Sequence, residues 1–202
     1  MRLKPNCYNT TMATPDYEII PFKSQTEFRK WLHKNHSTCP GIWIKMFKKA
    51  TGIESINYKQ ALDEALCYGW IDGQSKSGDE THWIQKFTPR RKQSLWSKRN
   101  IEHIERLRKE GKMTEAGEKE VEAAKADGRW AAAYDGPANS KIPEDFLKAV
   151  AKDKKTEEFF KTLSKTNLYA ISWRLQTAKK PETRERRFNA LLEMLKKGEK
   201  LH

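Results

Sequence analysis

Between Phe87 and Asn100 the sequence reads FTPRRKQSLWSKRN, a run that gathers what an anion site needs. Arg90, Arg91, Lys98 and Arg99, with Lys92, supply cations, and Ser94, Ser97 and Asn100 supply short polar groups. Ser97 stands where a helix would begin, and a helix entrance offers unpaired backbone N–H groups at the positive end of the dipole. Such an entrance suits phosphate or carboxylate, which arginine binds in bidentate fashion. Trp96 can stack on a base or pack inside the fold. The plainer alternative is a Pro-terminated strand, a capped helix and a solvated basic loop.

Two further runs carry charge in suggestive places. In Trp70-Ile71-Asp72-Gly73 a carboxylate sits at a tight backbone turn, where Asp72 can pair with Arg90 or Arg91. A pocket bordered by Trp70, Asp72, Gln74 and Trp96 is a candidate ligand site, and a buried structural ion pair is its alternative. The block Lys179-Lys180-Pro181-Glu182-Thr183-Arg184-Glu185-Arg186-Arg187 has the composition of a nucleic-acid contact. Glu182 and Arg186 make an i,i+4 pair, however, and Arg184 and Arg187 can instead clamp the C-terminal region onto the acidic stretch Glu115–Glu122. Docking is the preferred reading of those two arginines.

Other chemistry finds little footing. His33, His36 and Cys39 fall three residues apart, but a structural zinc site needs four ligands, so no metal is expected. Cys67, the one plausible thiol nucleophile, lies on the apolar side of a predicted helix, and His82 and His103 are isolated. Neither a GxxxxGK[ST] loop nor a dinucleotide fingerprint occurs, so no cofactor is expected, no catalytic residue is assigned, and binding is favoured over catalysis.

The elements that must hold these residues follow from periodicity and punctuation. Residues 1–16 contain Pro5 and Pro15 without an apolar period and read as a loose arm. Ser24 and Glu27 start a helix carrying Phe28, Trp31 and Leu32, and Ile42, Ile44 and Met46 alternate as in a strand. Asn57 and Gln60 open a second helix, with Gly69 as its left-handed cap. Trp70–Asp72 and His82–Phe87 suit a hairpin turning through Ser75–Glu80. Ser97 and Thr114 begin helices ending near Gly111 and Gly128. The segment Asp135–Ser140 is the best boundary, and four short helices are expected beyond it, opened by Pro143 and Thr156 and marked by Leu168–Ala178 and Phe188–Leu195. The fold class is therefore α+β: a small antiparallel sheet packed with helices over 17–136, then an all-helical module over 137–202.

Of 202 residues, 40 are Lys or Arg and 27 Asp or Glu, a net charge of +13. The excess is uneven: +2 over 1–80, +7 over 81–112, −3 over 113–136 and +7 over 137–202. Two basic blocks flanking an acidic one suit an anionic partner, either nucleic acid or an acidic protein surface. No apolar run reaches the roughly 18 residues of a membrane span, the N-terminus lacks a signal-peptide core, and the three cysteines form no even set. A cytoplasmic protein with reduced thiols is expected.

ALDEALCYGWIDGQ (61–74), FTPRRKQSLWSKRN (87–100), GKMTEAG (111–117), DGRW (127–130) and TAKKPETRERR (177–187) together resemble the YdeI/OmpD-associated family. The resemblance runs from about Phe22 to Gly198. It implies a YjbR/CyaY-like α+β domain followed by a helical module, and a label of bacteriocin protection or association with an outer-membrane porin, without an established reaction. A frataxin-like relationship would imply acidic iron binding, yet residues 24–36 hold Glu27 against Arg29, Lys30 and Lys34. The combined expectation is a binding protein using Arg90, Arg91, Lys98, Arg99, Arg184 and Arg187. The alternatives are a small-anion receptor or enzyme at Trp70–Gln74 and Arg90–Asn100, and a structural adaptor.

Overall fold

A computed structural model describes residues 17–202, so the expected arm over 1–16 lies outside the described residues. By its contacts the chain divides into two compact units, one up to Arg90 and one from Arg91 to His202.

Among the described residues the first unit is a four-stranded sheet with two α-helices and one 3-10 turn, Lys49–Thr51. Its strands are β1 (Ile19–Pro21), β2 (Ile42–Phe47), β3 (Trp70–Ser77) and β4 (His82–Pro89), arranged in the order β1-β2-β4-β3. The expected strands pair antiparallel, and β1 joins β2 in parallel. At three residues, β1 is too short to show a period of two, so the sequence gives no sign of it. The hairpin turns later than expected because β3 continues to Ser77 across an irregularity between Asp72 and Ser75.

Helix α1 (Gln25–Asn35) is capped by Ser24 Oγ, which accepts from Glu27 N–H at 3.2 Å. Helix α2 (Tyr58–Cys67) has the full capping box expected of Asn57 and Gln60, each side chain accepting from the other's backbone N–H. Gly69 closes it at φ 74°, a conformation with little cost only for glycine. Phe28, Leu32, Ile42, Ile44, Leu62, Leu66 and Phe87 are essentially fully buried between sheet and helices.

The second unit is helical: α3 (Lys98–Lys109), α4 (Glu115–Ala126), α5 (Glu144–Val150), α6 (Lys154–Lys161), α7 (Lys165–Gln176) and α8 (Pro181–Lys196). Ser97, Thr114 and Ser164 cap their helices through hydroxyls that accept a backbone N–H three residues on. Pro143 stands just outside α5, as its N-cap. Thr156 does not cap α6: Asp153 does, accepting from Thr156 N–H at 2.9 Å, and Thr156 is buried in the first turn. Aspartate is the better cap because its charge also complements the helix dipole. Phe146, Val150, Ile171, Leu175, Leu191 and Leu195 form the core of the last four helices.

The segment Asp135–Ser140 is tied to α7. Ser140 Oγ donates to Ser172 Oγ at 2.7 Å, Ser172 Oγ donates to Lys141 O at 2.7 Å, and Asp135 N–H donates to Gln176 Oε1 at 3.4 Å.

Candidate functional site

The side chains singled out in the sequence fall in both units. In the first, Trp70 is 1% exposed, donates its indole N–H to His36 O at 3.0 Å and meets Trp31 edge-on. Asp72 accepts from the Tyr58 hydroxyl at 2.8 Å, Gln74 is exposed on β3, and Arg90 is buried with its backbone N–H on Gly69 O. In the second, Arg91 and Ser94 close a turn on each other: Arg91 N–H donates to Ser94 Oγ at 2.9 Å, and Ser94 N–H to Arg91 O at 2.8 Å.

Trp96 resolves toward packing. It is 2% exposed against Trp130, with ring centroids 4.9 Å apart, so its indole is inside the unit and presents no face to a base. Ser97 Oγ accepts from Asn100 N–H at 3.1 Å, and both residues are buried at the start of α3. That hydroxyl serves the helix cap. Lys98 pairs with Asp135 at 2.8 Å, while Arg99 is exposed.

Arg184 and Arg187 dock, but not on the acidic helix. Arg184 pairs with Asp145 at 2.8 Å, and Arg187 Nη1 donates to Arg174 O at 2.8 Å at the end of α7. Arg108 is what meets α4: its Nε donates to both oxygens of Glu118, at 2.9 and 3.1 Å. Being only ten residues away, Arg108 reaches Glu118 across the short α3–α4 turn with little loop closure.

What the second unit does assemble is a cavity of about 370 Å³ at the ends of α4 and α7. Asp127, Gly128 and Arg129 line it from one side of the sequence, Gln176, Thr177, Ala178 and Lys179 from the other, and Leu95, Ala132 and Tyr134 complete it. The local chain explains the first set. α4 ends at Ala126, Gly128 takes φ 79°, and Trp130 N–H returns to Ala124 O at 3.0 Å. That reversal folds Arg129 back on Asp127, to which Nε donates at 2.7 and 2.8 Å, while Nη1 donates to Ser94 O at 3.2 Å.

Arg129 is 7% exposed, so its charge is held in a restricted, partly dehydrated place. Asp127 is held below the usual carboxylate range chiefly by its hydrogen bond from Arg129, with Lys179 adding to the effect. Two cations against one carboxylate leave the lining net positive. Tyr134, T-shaped to Trp173 at 6.2 Å, adds an aromatic wall with a hydroxyl. Sequence reasoning gave Arg129, Tyr134, Gln176 and Thr177 no site role. The available signal was that DGRW and TAKK, which carried the family resemblance, come from distant parts of the chain and line one space.

The remaining titratable groups suit structure better than chemistry. Burial, reinforced by Glu64, pushes the Cys67 thiol up to about 11, so it is no nucleophile near neutral pH. Glu64 is 2% exposed and accepts from Arg29 at 2.7 Å and Gln25 at 2.6 Å. His36 Nδ1 contacts Leu32 O, and Cys39 Sγ donates to Gly41 O. Among the described residues no three His, Cys, Asp or Glu side chains gather as metal ligands.

Residues 20–120, half of the chain, match the family model described as a domain of unknown function (DUF8412). The chain belongs to this DUF8412 family. Residues 139–198 match a second model, described as Bacteriocin-protection, YdeI or OmpD-Associated, so a domain of that kind follows the DUF8412 region. Neither match supports a YjbR/CyaY-like grouping. No curated protein and no solved structure matches the chain. The cavity draws Gln176–Lys179 from the YdeI/OmpD-associated domain and Leu95 from the DUF8412 region. Residues Asp127–Tyr134 lie between the two matches. No helix among the described residues is long and apolar enough to cross a membrane.

Proposed function

We propose that this protein is a binding protein for an anionic ligand, whose carboxylate or phosphate enters the cavity beside Arg129. The observation that carries the reading is the fixed guanidinium: Arg129 is 7% exposed, aligned by Asp127 and Ser94 O, and lines the same space as Lys179. A guanidinium already held in place loses little freedom when an anion arrives. Restricted hydration also strengthens its attraction for the anion relative to an exposed lysine.

This reading keeps the expected anionic partner but moves the contact from Arg184 and Arg187 to the cavity, because those two arginines are engaged at Asp145 and Arg174 O. Arg91, Lys92 and Lys180 are exposed near the lining residues in sequence and would draw anions toward the entrance. The lining is suited to holding a ligand by charge, hydrogen bonds from Gln176 and Thr177, and contact with the Tyr134 ring. A cytoplasmic site of action is part of the proposal and rests on the sequence alone.

The test is thermal shift with inorganic phosphate, citrate and nucleoside monophosphates, at low and high salt. A ligand at 100 times its dissociation constant would stabilise by about 2.7 kcal/mol. In a chain of this size that raises Tm by roughly 5–10 °C. Lys179→Ala, at an exposed position, should reduce the shift while leaving the unliganded Tm near its original value. Equal shifts in the Lys179→Ala protein, or no shift with any of the anions, would overturn the reading.

A further inference from the structure

The sheet of the first unit has one face packed on α1 and α2, and its other face has a distinct composition. Strand register places Ile19, Trp43 and Lys86 in one row of that second face, Pro21, Lys45, Ile84 and Lys76 in the next, and Phe47 and His82 in a third. These rows contain three lysines, a histidine and two aromatic rings, and no carboxylate. Asp79, in the β3–β4 turn, approaches only their end, where it accepts from His82 Nδ1 at 2.8 Å.

The lysines rest on the rings. Lys76 Nζ lies 4.6 Å and Lys86 Nζ 5.5 Å from the Trp43 centroid, and Lys45 Nζ lies 5.0 Å from that of Phe47. Among the described residues none of the three ammonium groups is paired with a carboxylate. Gly73 lies directly beside Lys86: a Cβ there would stand 3.1 Å from Lys86 Cε, so the end of the lysine would have to shift by a few tenths of an ångström to accommodate it. Trp43 is only 7% exposed, whereas Ile19 beside it is 53% exposed and Lys76 is open to solvent.

We propose that this face binds single-stranded nucleic acid. A ring covered by an ammonium is held by a weak, partly solvated contact, and a phosphate is the stronger partner for that ammonium. As a strand arrives, Lys76 and Lys86 move from the indole to the phosphates, and the freed Trp43 face accepts a base. The lysines thus shield the aromatic surface when no strand is bound and contact the backbone when one is. Charge complementarity selects the occupant: three lysines without a carboxylate partner favour a polyanion, and aromatic rings among them favour one whose bases are unpaired. An acidic peptide would satisfy the charge but leave the rings without partners.

The experiment uses the full chain and a fluorescein-labelled twelve-nucleotide oligo-dT, with binding read by anisotropy across a salt series. The triple variant Lys45→Ala, Lys76→Ala, Lys86→Ala should weaken binding at least tenfold. It should also flatten the slope of log affinity against log salt by about 2, since each phosphate contact on a single strand contributes roughly 0.7. A control removing three lysines of the second unit, Lys152, Lys155 and Lys197, should change both much less. Gly73→Val tests the same face without removing charge and should also weaken binding.

Competition separates the sources of affinity. Unlabelled oligo-dT should displace the probe at lower phosphate concentration than inorganic polyphosphate, which has charge but no bases. Equal losses in the two triple variants, equal competition by polyphosphate, or no binding of the oligonucleotide would overturn the proposal. Because Arg129 plays no part in it, a Lys179→Ala protein that fails in the cavity assay should still bind the strand.

Discussion

Asp127 holds Arg129 by two bonds of 2.8 and 2.7 Å to the guanidinium Nε and a third of 3.1 Å from the Arg129 backbone N–H. The carboxylate is 49% exposed and the guanidinium 6%, so the outer residue of the pair neutralises the inner one. The charge therefore stays buried because of a partner that itself remains hydrated.

Replacing the exposed member should consequently destabilise the protein, as replacing the buried one does. Arg129→Ala removes charged hydrogen bonds worth about 2 kcal/mol together. Asp127→Ala leaves the guanidinium with Ser94 O as its remaining acceptor from this set and should also destabilise the protein. Arg129→Ala should melt about 4–8 °C lower in calorimetry, and Asp127→Ala should also melt below the parent. An Asp127→Ala protein as stable as the parent would show that Arg129 rehydrates freely and that the cavity is not preorganised.

Much of this architecture is legible in the sequence, and the reasons are local. Asn57 and Gln60 specify a helix start by reciprocal bonds within four residues, and Gly69 and Gly128 mark helix ends by a φ value that other residues resist. Trp96 was ambiguous because an indole suits both a core and a stacking surface, and only Trp130, 34 residues later, decides between them. For Arg184 the sequence leaves open an anion-binding surface and a clamp onto Glu115–Glu122, whereas the side chain pairs with Asp145 of its own helical module. The Glu115–Glu122 stretch, with four carboxylates, is the more acidic of the two in sequence, yet tertiary packing selects Asp145. The cavity was hidden for the same reason, since Asp127–Arg129 and Gln176–Lys179 share no period that links them.

Glu64 should behave as a member of a pair. It is 2% exposed, and Arg29 at 2.7 Å supplies its charge partner. Removing one member of a buried pair typically costs 3–5 kcal/mol. The Arg29 side chain is 35% exposed and can recover water, so Glu64→Ala is expected to lose about 2 kcal/mol. The double variant Arg29→Leu, Glu64→Leu should lose less than the sum of the two single changes, by about 1 kcal/mol in a denaturation cycle. Additive losses would mean that the two side chains contribute independently.

Thiol labelling should distinguish the cysteines. With the Cys67 thiol pushed up to about 11 by burial and by Glu64, roughly one molecule in 3,000 carries its thiolate at pH 7.5. Cys39 is only half-buried. Iodoacetamide, followed by peptide mass spectrometry, should modify Cys39 at least tenfold faster than Cys67 in the folded protein. Denaturant should abolish the difference. Fast modification of Cys67 in the native state would place a reactive thiol where the structure has an inert one.

Acid should weaken the protein partly through Arg108. Hydrogen bonding from Arg108 holds Glu118 below the usual carboxylate range. The sign follows from linkage: a depressed folded value gives stability that is full above the ordinary Glu value near 4.3 and is lost as pH falls through the lower folded value. Asp127 and Asp153, depressed chiefly by Arg129 and Thr156 respectively, act in the same direction below the ordinary Asp value near 3.9. Arg108→Met restores Glu118 toward its ordinary value and should flatten the acid limb of a plot of stability against pH. Because the pair is partly solvated, the difference at neutral pH should be under about 1 kcal/mol. Denaturation midpoints between pH 2.5 and 7 would measure it: the parent and Arg108→Met curves should converge as pH falls, and parallel curves would show that Glu118 titrates independently of Arg108.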